Sequence, residues 1–373
     1  MNIDEEFNYY IEILKKYYYN KLNANESLTI IGMNDDRGFN IHKNILMNLK
    51  DILASEKYKI ELLDMCSMFF NKTRHIDYFL KHNMSLEEIR LMQEYGTTNE
   101  LNHAIGVNIP FMSGISKIFN KLMLTKTQIE ANPKNIKISD KIKENSLPLI
   151  IYSSGINDIM YELHIDPFNI KKAYMNRRVN PKYDYACQRV NKQTIDRIID
   201  GHKQNFESIL GLNHNSDIYS LSAYFYSEMK EEYEKKFKEA ILLYNENLGK
   251  LCREYNISYI NCRFIENTKY NNPLANYLSK YPSQMIAYEI VKEMYKNIMN
   301  KNNNNIENIY TFKYDDKGSA GVIEDLKNDI IMQKRKYNET VGYDRQVALE
   351  KMQEHNRELD VFKHVEKNVQ LKR

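Results

Sequence analysis

Tryptophan is absent from the 373 residues, and cysteine occurs four times, at Cys66, Cys187, Cys252 and Cys262. No two of these stand in Cys-x-x-Cys spacing, which excludes both the ligand pattern of a structural zinc site and the dense bridging of small secreted scaffolds. The nine histidines likewise lack His-x-x-x-His or His-Glu-x-x-His spacing, so the sequence supports no metal site and implies no cofactor. No stretch of the length a membrane span needs is free of charge. The amino terminus, MNIDEEFNYYIEILKKYYYNKL, is acidic and then amphipathic rather than basic and then apolar. These two absences set the expectation of a cytoplasmic chain without a signal peptide or membrane span. An excess of one charge sign is missing too, since 53 Lys and Arg stand against 50 Asp and Glu. Whole-chain electrostatics therefore call for neither nucleic acid nor an anionic membrane, and partners have to be read locally.

What is present is a chain 42% hydrophobic, enough for a sizeable core. Residues 5–22 carry Phe7, Tyr10, Ile11, Leu14 and Tyr18 at helical spacing. SLTIIGMNDDRG then reads as a β-branched strand ending at Gly32 and a polar loop, and IHKNILMNLKDILASE as a helix. YKIELLDMCSMFF is a second strand, and SLEEIRLMQEY opens with Ser85 and Glu88 in capping-box spacing. Further on, strands at LPLIIYSSG, SDIYSLSAYF and ISYINC alternate with helices at NKQTIDRIIDGHKQNFESILGL, EMKEEYEKKFKEAILLYNENLGKLCREYN and PSQMIAYEIVKEMYKNIM. Such alternation predicts βαβ units: an α/β fold, a three-layer αβα sandwich around a mainly parallel central sheet. In such sheets ligands gather beyond the carboxyl ends of the strands, where Gly32 and Gly155 fall.

Near residue 300 the Asn-rich tract NKNNNNIEN reads as a linker. The expected organisation is one domain over 1–300 and a mostly helical carboxyl-terminal extension over 301–373. The extension's last helix has a sparse apolar set and packs one narrow face on the main domain or on a second copy, a route to a homo-oligomer. A basic stretch, KKAYMNRRVNPKY at 171–183, interleaves charge with Tyr174 and Tyr183, the composition of a phosphate- or RNA-binding segment.

The most specific stretch is LPLIIYSSGIND, residues 147–158. Locally, Asn157 and Asp158 after Gly155 suit the cap of a following helix, since both side chains accept amide hydrogen bonds. The order of the surrounding pieces adds more. A strand ending in Gly32, a strand ending in Gly-x-Asn-Asp, a helix with a Tyr-Asn pair in ILLYNENLGKLCREYN, and a proline-led last helix follow one another as in the SGNH or GDSL-type esterases and lipases, which residues 27–300 resemble. The resemblance implies that Gly155, Asn157 and Asp158 form the family's third block. Asn157 is then a side-chain donor to an oxyanion, Gly155 allows close passage of backbone, and Asp158, like Gly32, is structural. It also places Gly114, in VNIPFMSGISKIF, as the second-block glycine, and implies that the insert carrying residues 171–183 forms a wall over the cleft.

The same register replaces the triad. Met33 and Asn34 stand where the family has aspartate and the serine nucleophile, and Leu278 and Tyr281 where it has aspartate and histidine. An amide is not a nucleophile of that kind, and a phenol with a pKa of about 10 is a poor base near neutral pH. Asp35 and Asp36 beside Asn34, Ser153 and Ser154 on the third strand, and His164 beyond it are the residues from which a substitute set would be drawn. Two functions follow from the resemblance: an ester hydrolase with a rearranged catalytic set, or a silent relative that binds a small acyl ester, an acetylated glycan or a protein partner. Phosphate or RNA binding through 171–183 is the third class.

Overall fold

The computed structural model describes residues 3–34, 41–65, 73–89, 91–92, 136–155, 158–159, 192–224, 231–267, 280–301 and 317–371. The chain divides into two compact units: residues 1–77 with 141–312, and residues 78–140 with 313–373.

The first unit is built on five strands, β1 (Leu28–Asn34), β2 (Ile60–Asp64), β3 (Leu149–Ser153), β4 (Asp217–Leu221) and β5 (Ser258–Ile260). Among the described residues, every pairing of these strands is parallel and the order is β2-β1-β3-β4-β5. The expected α/β class with a parallel sheet is therefore what the chain forms. β3 shows why the run LIIYS specifies such a strand: its first four residues are buried, as a strand covered on both faces requires. Leu28, Ile30, Leu149, Ile151, Tyr219 and Leu221 point to one face and share an apolar cluster with α1 (Ile3–Lys21), α2 (Ile41–Leu53) and α7 (Lys280–Lys301). The opposite face meets α5 (Lys192–Leu212) and α6 (Glu231–Glu254); there the ring of Tyr152 lies 5.1 Å from Phe206 and 5.4 Å from His202, centroid to centroid. Full burial of each large apolar side chain in these layers contributes roughly 1.5–3 kcal/mol against the ordering entropy of the chain.

Helix ends are set by side chains and backbone in recognisable ways. α6 ends where Asn256 takes φ 53°, and Ile257 N–H then returns to Cys252 O at 2.7 Å, a left-handed cap that turns the chain into β5. Among the described residues, the periodicity does not predict the helices α3 (Thr73–Lys81) and α4 (Ile138–Glu144) or the short 3-10 turn Cys262–Asn267.

In the second unit, Ser85 and Glu88 form the reciprocal bonds of a capping box. Ser85 N–H donates to Glu88 Oε2 at 2.9 Å, and Glu88 N–H donates to Ser85 Oγ at 3.3 Å. The unit also contains a helical pair, α8 (Ser319–Glu339) and α9 (Gly342–Gln370). The turn expected at DDKGSAG ends earlier than its composition suggests, because Ser319, Ala320 and Gly321 are already helical. Gly318, at φ 59°, makes the bend, and the Glu88 carboxylate receives the Ser319 N–H at 3.2 Å.

Candidate functional site

In the order β2-β1-β3-β4-β5 the chain winds outward in opposite directions from β1, so the crevice at the carboxyl ends of β1 and β3 is the place where such sheets accept ligands. The register brings the two motif-bearing strand ends together: Met33 pairs with Tyr152, and Asn34, the last residue of β1, with Ser153, the last of β3. Gly32 pairs one step lower, with Asp64 on one side and Ile151 on the other. Tyr281 lies in the first turn of α7. Asn157, Gly114, Asp35, Asp36, Leu278, His164 and residues 171–183 lie outside the described residues.

Gly155 takes φ +99°, a backbone state that side chains resist, and a Cβ built on it would stand 2.7 Å from the Tyr244 ring. Both constraints demand glycine. The loop around it is tied on either side. Tyr244 O–H donates to Ser154 O, and Ile159 N–H donates to Gly155 O at 3.2 Å. Ser154 O–H donates to Thr73 Oγ1 at 2.9 Å, and Thr73 in turn gives both its N–H and its O–H to Asp158 Oδ2, each at 2.9 Å. Asp158 is thus held to the start of α3, where the helix dipole favours a carboxylate.

Beneath the loop runs a buried polar chain. Tyr244 Oη lies 2.9 Å from His202 Nε2, and His202 Nδ1 lies 2.6 Å from Tyr152 Oη. The Asn205 amide nitrogen donates to Tyr152 Oη at 2.7 Å and to Thr73 O at 2.8 Å. Burial pushes the His202 pKa down to about 3, so its ring is neutral over the ordinary pH range.

The next residue on α6 performs the matching task for β4. Asn245 accepts from Ala223 N–H at 2.9 Å and donates to Ala223 O at 2.7 Å, closing both hydrogen bonds of that backbone position. The adjacent pair Tyr244-Asn245 therefore fixes the carboxyl ends of two neighbouring strands. Cys252 and Cys262 offer no nucleophile, since burial drives both thiols up to about 12. Among the described residues, no group of three or more His, Cys, Asp or Glu side chains is placed to hold a metal ion, and no helix is long and apolar enough to cross a membrane.

Thr73, His202 and Asn205 were not among the residues the sequence singled out. A signal for two of them exists: His202 and Asn205 fall on the buried stripe of α5 with Ile195, Ile198, Phe206 and Ile209. A polar side chain on such a stripe must find buried partners. No family model matches the chain, and no curated protein matches it.

Proposed function

We propose that this chain is an SGNH-type domain whose cleft binds an acyl or acetylated ligand, such as an acetylated oligosaccharide, without hydrolysing it. The observation that carries the reading is the pairing of Asn34 with Ser153 at adjacent, parallel strand ends. The resemblance requires its first and third blocks to be neighbours, and this register supports that requirement. The anchoring of the β3 and β4 ends by Tyr244 and Asn245 is further support, because a site of preorganised donors needs a rigid frame.

The chemistry of the substituted positions argues against turnover. Hydrolysis through an acyl-enzyme needs a nucleophile whose proton passes to a base. Asn34 and Tyr281 supply neither, whereas the amide of Asn157 retains its capacity to donate to a carbonyl oxygen. Such a donor without a nucleophile stabilises a bound ester or acetamide in its ground state.

A serine-directed fluorophosphonate probe and a short-chain nitrophenyl ester test the reading. The expected result is neither labelling nor turnover, together with saturable binding of an acetylated oligosaccharide that Asn157→Ala weakens. Labelling and ester turnover that disappear in Asn157→Ala would establish an active hydrolase instead.

A further inference from the structure

The polar chain beneath Gly155 has a single direction, and its two ends set it. Ser154 O is a carbonyl and only accepts, so the one hydroxyl proton of Tyr244 goes there. The contact from Tyr244 Oη to His202 Nε2 must then run the other way, with Nε2–H donating over 2.9 Å. The neutral imidazole carries one N–H, which leaves Nδ1 as an acceptor; Tyr152 O–H, 2.6 Å away, donates to it. At the far end Thr73 O also only accepts, so the Asn205 nitrogen faces it at 2.8 Å and gives its second hydrogen to Tyr152 Oη at 2.7 Å. Reversing any one bond would set two buried donors, or two acceptors, against each other.

We propose that His202 is a positioning residue of the site: held as the Nε2–H tautomer, it acts through Tyr244 to fix the Ser154–Gly155 peptide, two residues before Asn157 in the sequence. Its purpose rests on the reading of Asn157 as the ligand-facing donor; its geometry does not. A device of this kind is needed because glycine does not choose its own conformation. At φ +99° Gly155 sits in a region that glycine reaches as readily as others, so the neighbouring peptide could rotate at little local cost. The Tyr244 hydroxyl selects one orientation, and the directed chain holds that hydroxyl. The ring of Tyr244 adds a steric floor under Gly155 that also excludes any larger residue there.

The test uses the full chain labelled with 15N-histidine and reads the ring-nitrogen shifts of His202 between pH 5 and pH 8. The expected signature is protonated Nε2 and unprotonated Nδ1 throughout. Tyr244→Phe keeps the ring and removes only the hydroxyl. In that variant, hydrogen exchange at the Ile159 amide, which is bonded to Gly155 O, should rise at least tenfold more than exchange at Tyr219 in the sheet. If Tyr244→Phe does not fold, Asn205→Ala, which removes the donor at the far end, supplies the same comparison. A wild-type Nδ1–H tautomer overturns the proposal, as does an equal rise at both amides, which would mark the hydroxyl as contributing to global stability alone. Ester turnover by the wild type would refute the silent function and leave this positioning role standing.

Discussion

Asp158 caps a helix that begins at Thr73, 85 residues earlier in the chain. One carboxylate oxygen receives both the N–H and the O–H of Thr73, so Asp158 is tied to the first turn of α3. Asp158→Ala removes the acceptor of both bonds and should cost about 1–2 kcal/mol, the range of a lost helix cap. Asp158→Asn keeps an oxygen acceptor without the charge and should lose less. Urea unfolding monitored by circular dichroism gives both values, and equal losses would contradict the part assigned to charge.

Gly155→Ala meets two obstacles at once, the positive φ and the Tyr244 ring 2.7 Å from the new methyl. The backbone contribution is about 1–2 kcal/mol and the crowding about 1–3 kcal/mol. A double-mutant cycle separates them. Pairing Gly155→Ala with Tyr244→Leu should relieve the crowding and leave the backbone strain. Strictly additive losses would show that the ring is not what excludes the methyl.

In the second unit one carboxylate serves two helix starts. Glu88 Oε2 accepts from Ser85 N–H and O–H, while Glu88 Oε1 accepts from Ser319 N–H at 3.2 Å and Ser319 O–H at 3.3 Å. Glu88→Ala should therefore lower stability by about 2–3 kcal/mol, more than one exposed helix cap accounts for, because several bonds to a charged acceptor vanish together. Glu88→Gln, which keeps one oxygen, should lie between. Thermal unfolding of the three proteins side by side is the measurement, with amide exchange at Ser319 reporting the local effect.

What was legible in the sequence follows from how local each cause is. Strands such as LIIYS announce themselves because burial on both faces needs an unbroken apolar run. The capping box at Ser85 and Glu88 was legible for the same reason, since its partners are three residues apart. α3 was not: its first turn holds no acidic residue and its cap comes from Asp158, although Ile76, Phe79 and Leu80 do stand at helical spacing. The early start of α8 was hidden likewise, because the second use of Glu88 joins residues 231 positions apart. At the site, the glycine-ended strands are legible but not that β1 and β3 are neighbours, and the Tyr-Asn pair occurs twice in the sequence, at Tyr255-Asn256 as well as at Tyr244-Asn245. The bonds of Tyr244 and Asn245 to Ser154 and Ala223 are long-range facts that no local pattern encodes. No local motif marks His202; its part follows from the α5 stripe that faces Tyr152 of the sheet.

That buried histidine makes stability depend on pH in a defined direction. Its pKa is about 3 in the folded chain, against an ordinary value of 6.5. Between those values the unfolded chain binds a proton that the folded chain refuses, so acid favours unfolding. Above pH 6.5 the group contributes no slope. Below it, stability should fall by up to about 1.4 kcal/mol per pH unit from this residue alone until the folded form titrates near pH 3. Carboxylates add their own slope in the same range, and the measurement therefore compares urea unfolding of the wild type with that of His202→Gln at pH 7.5 and pH 4.5. Glutamine does not titrate but retains a donor and an acceptor for Tyr244 and Tyr152. It should cost stability at pH 7.5, where the fitted imidazole is lost, and recover part or all of that loss by pH 4.5, where the neutral imidazole becomes a liability. A constant difference between the two proteins at both pH values would mean that His202 titrates in the fold much as it does in the unfolded chain, and that its ring is not sealed from water.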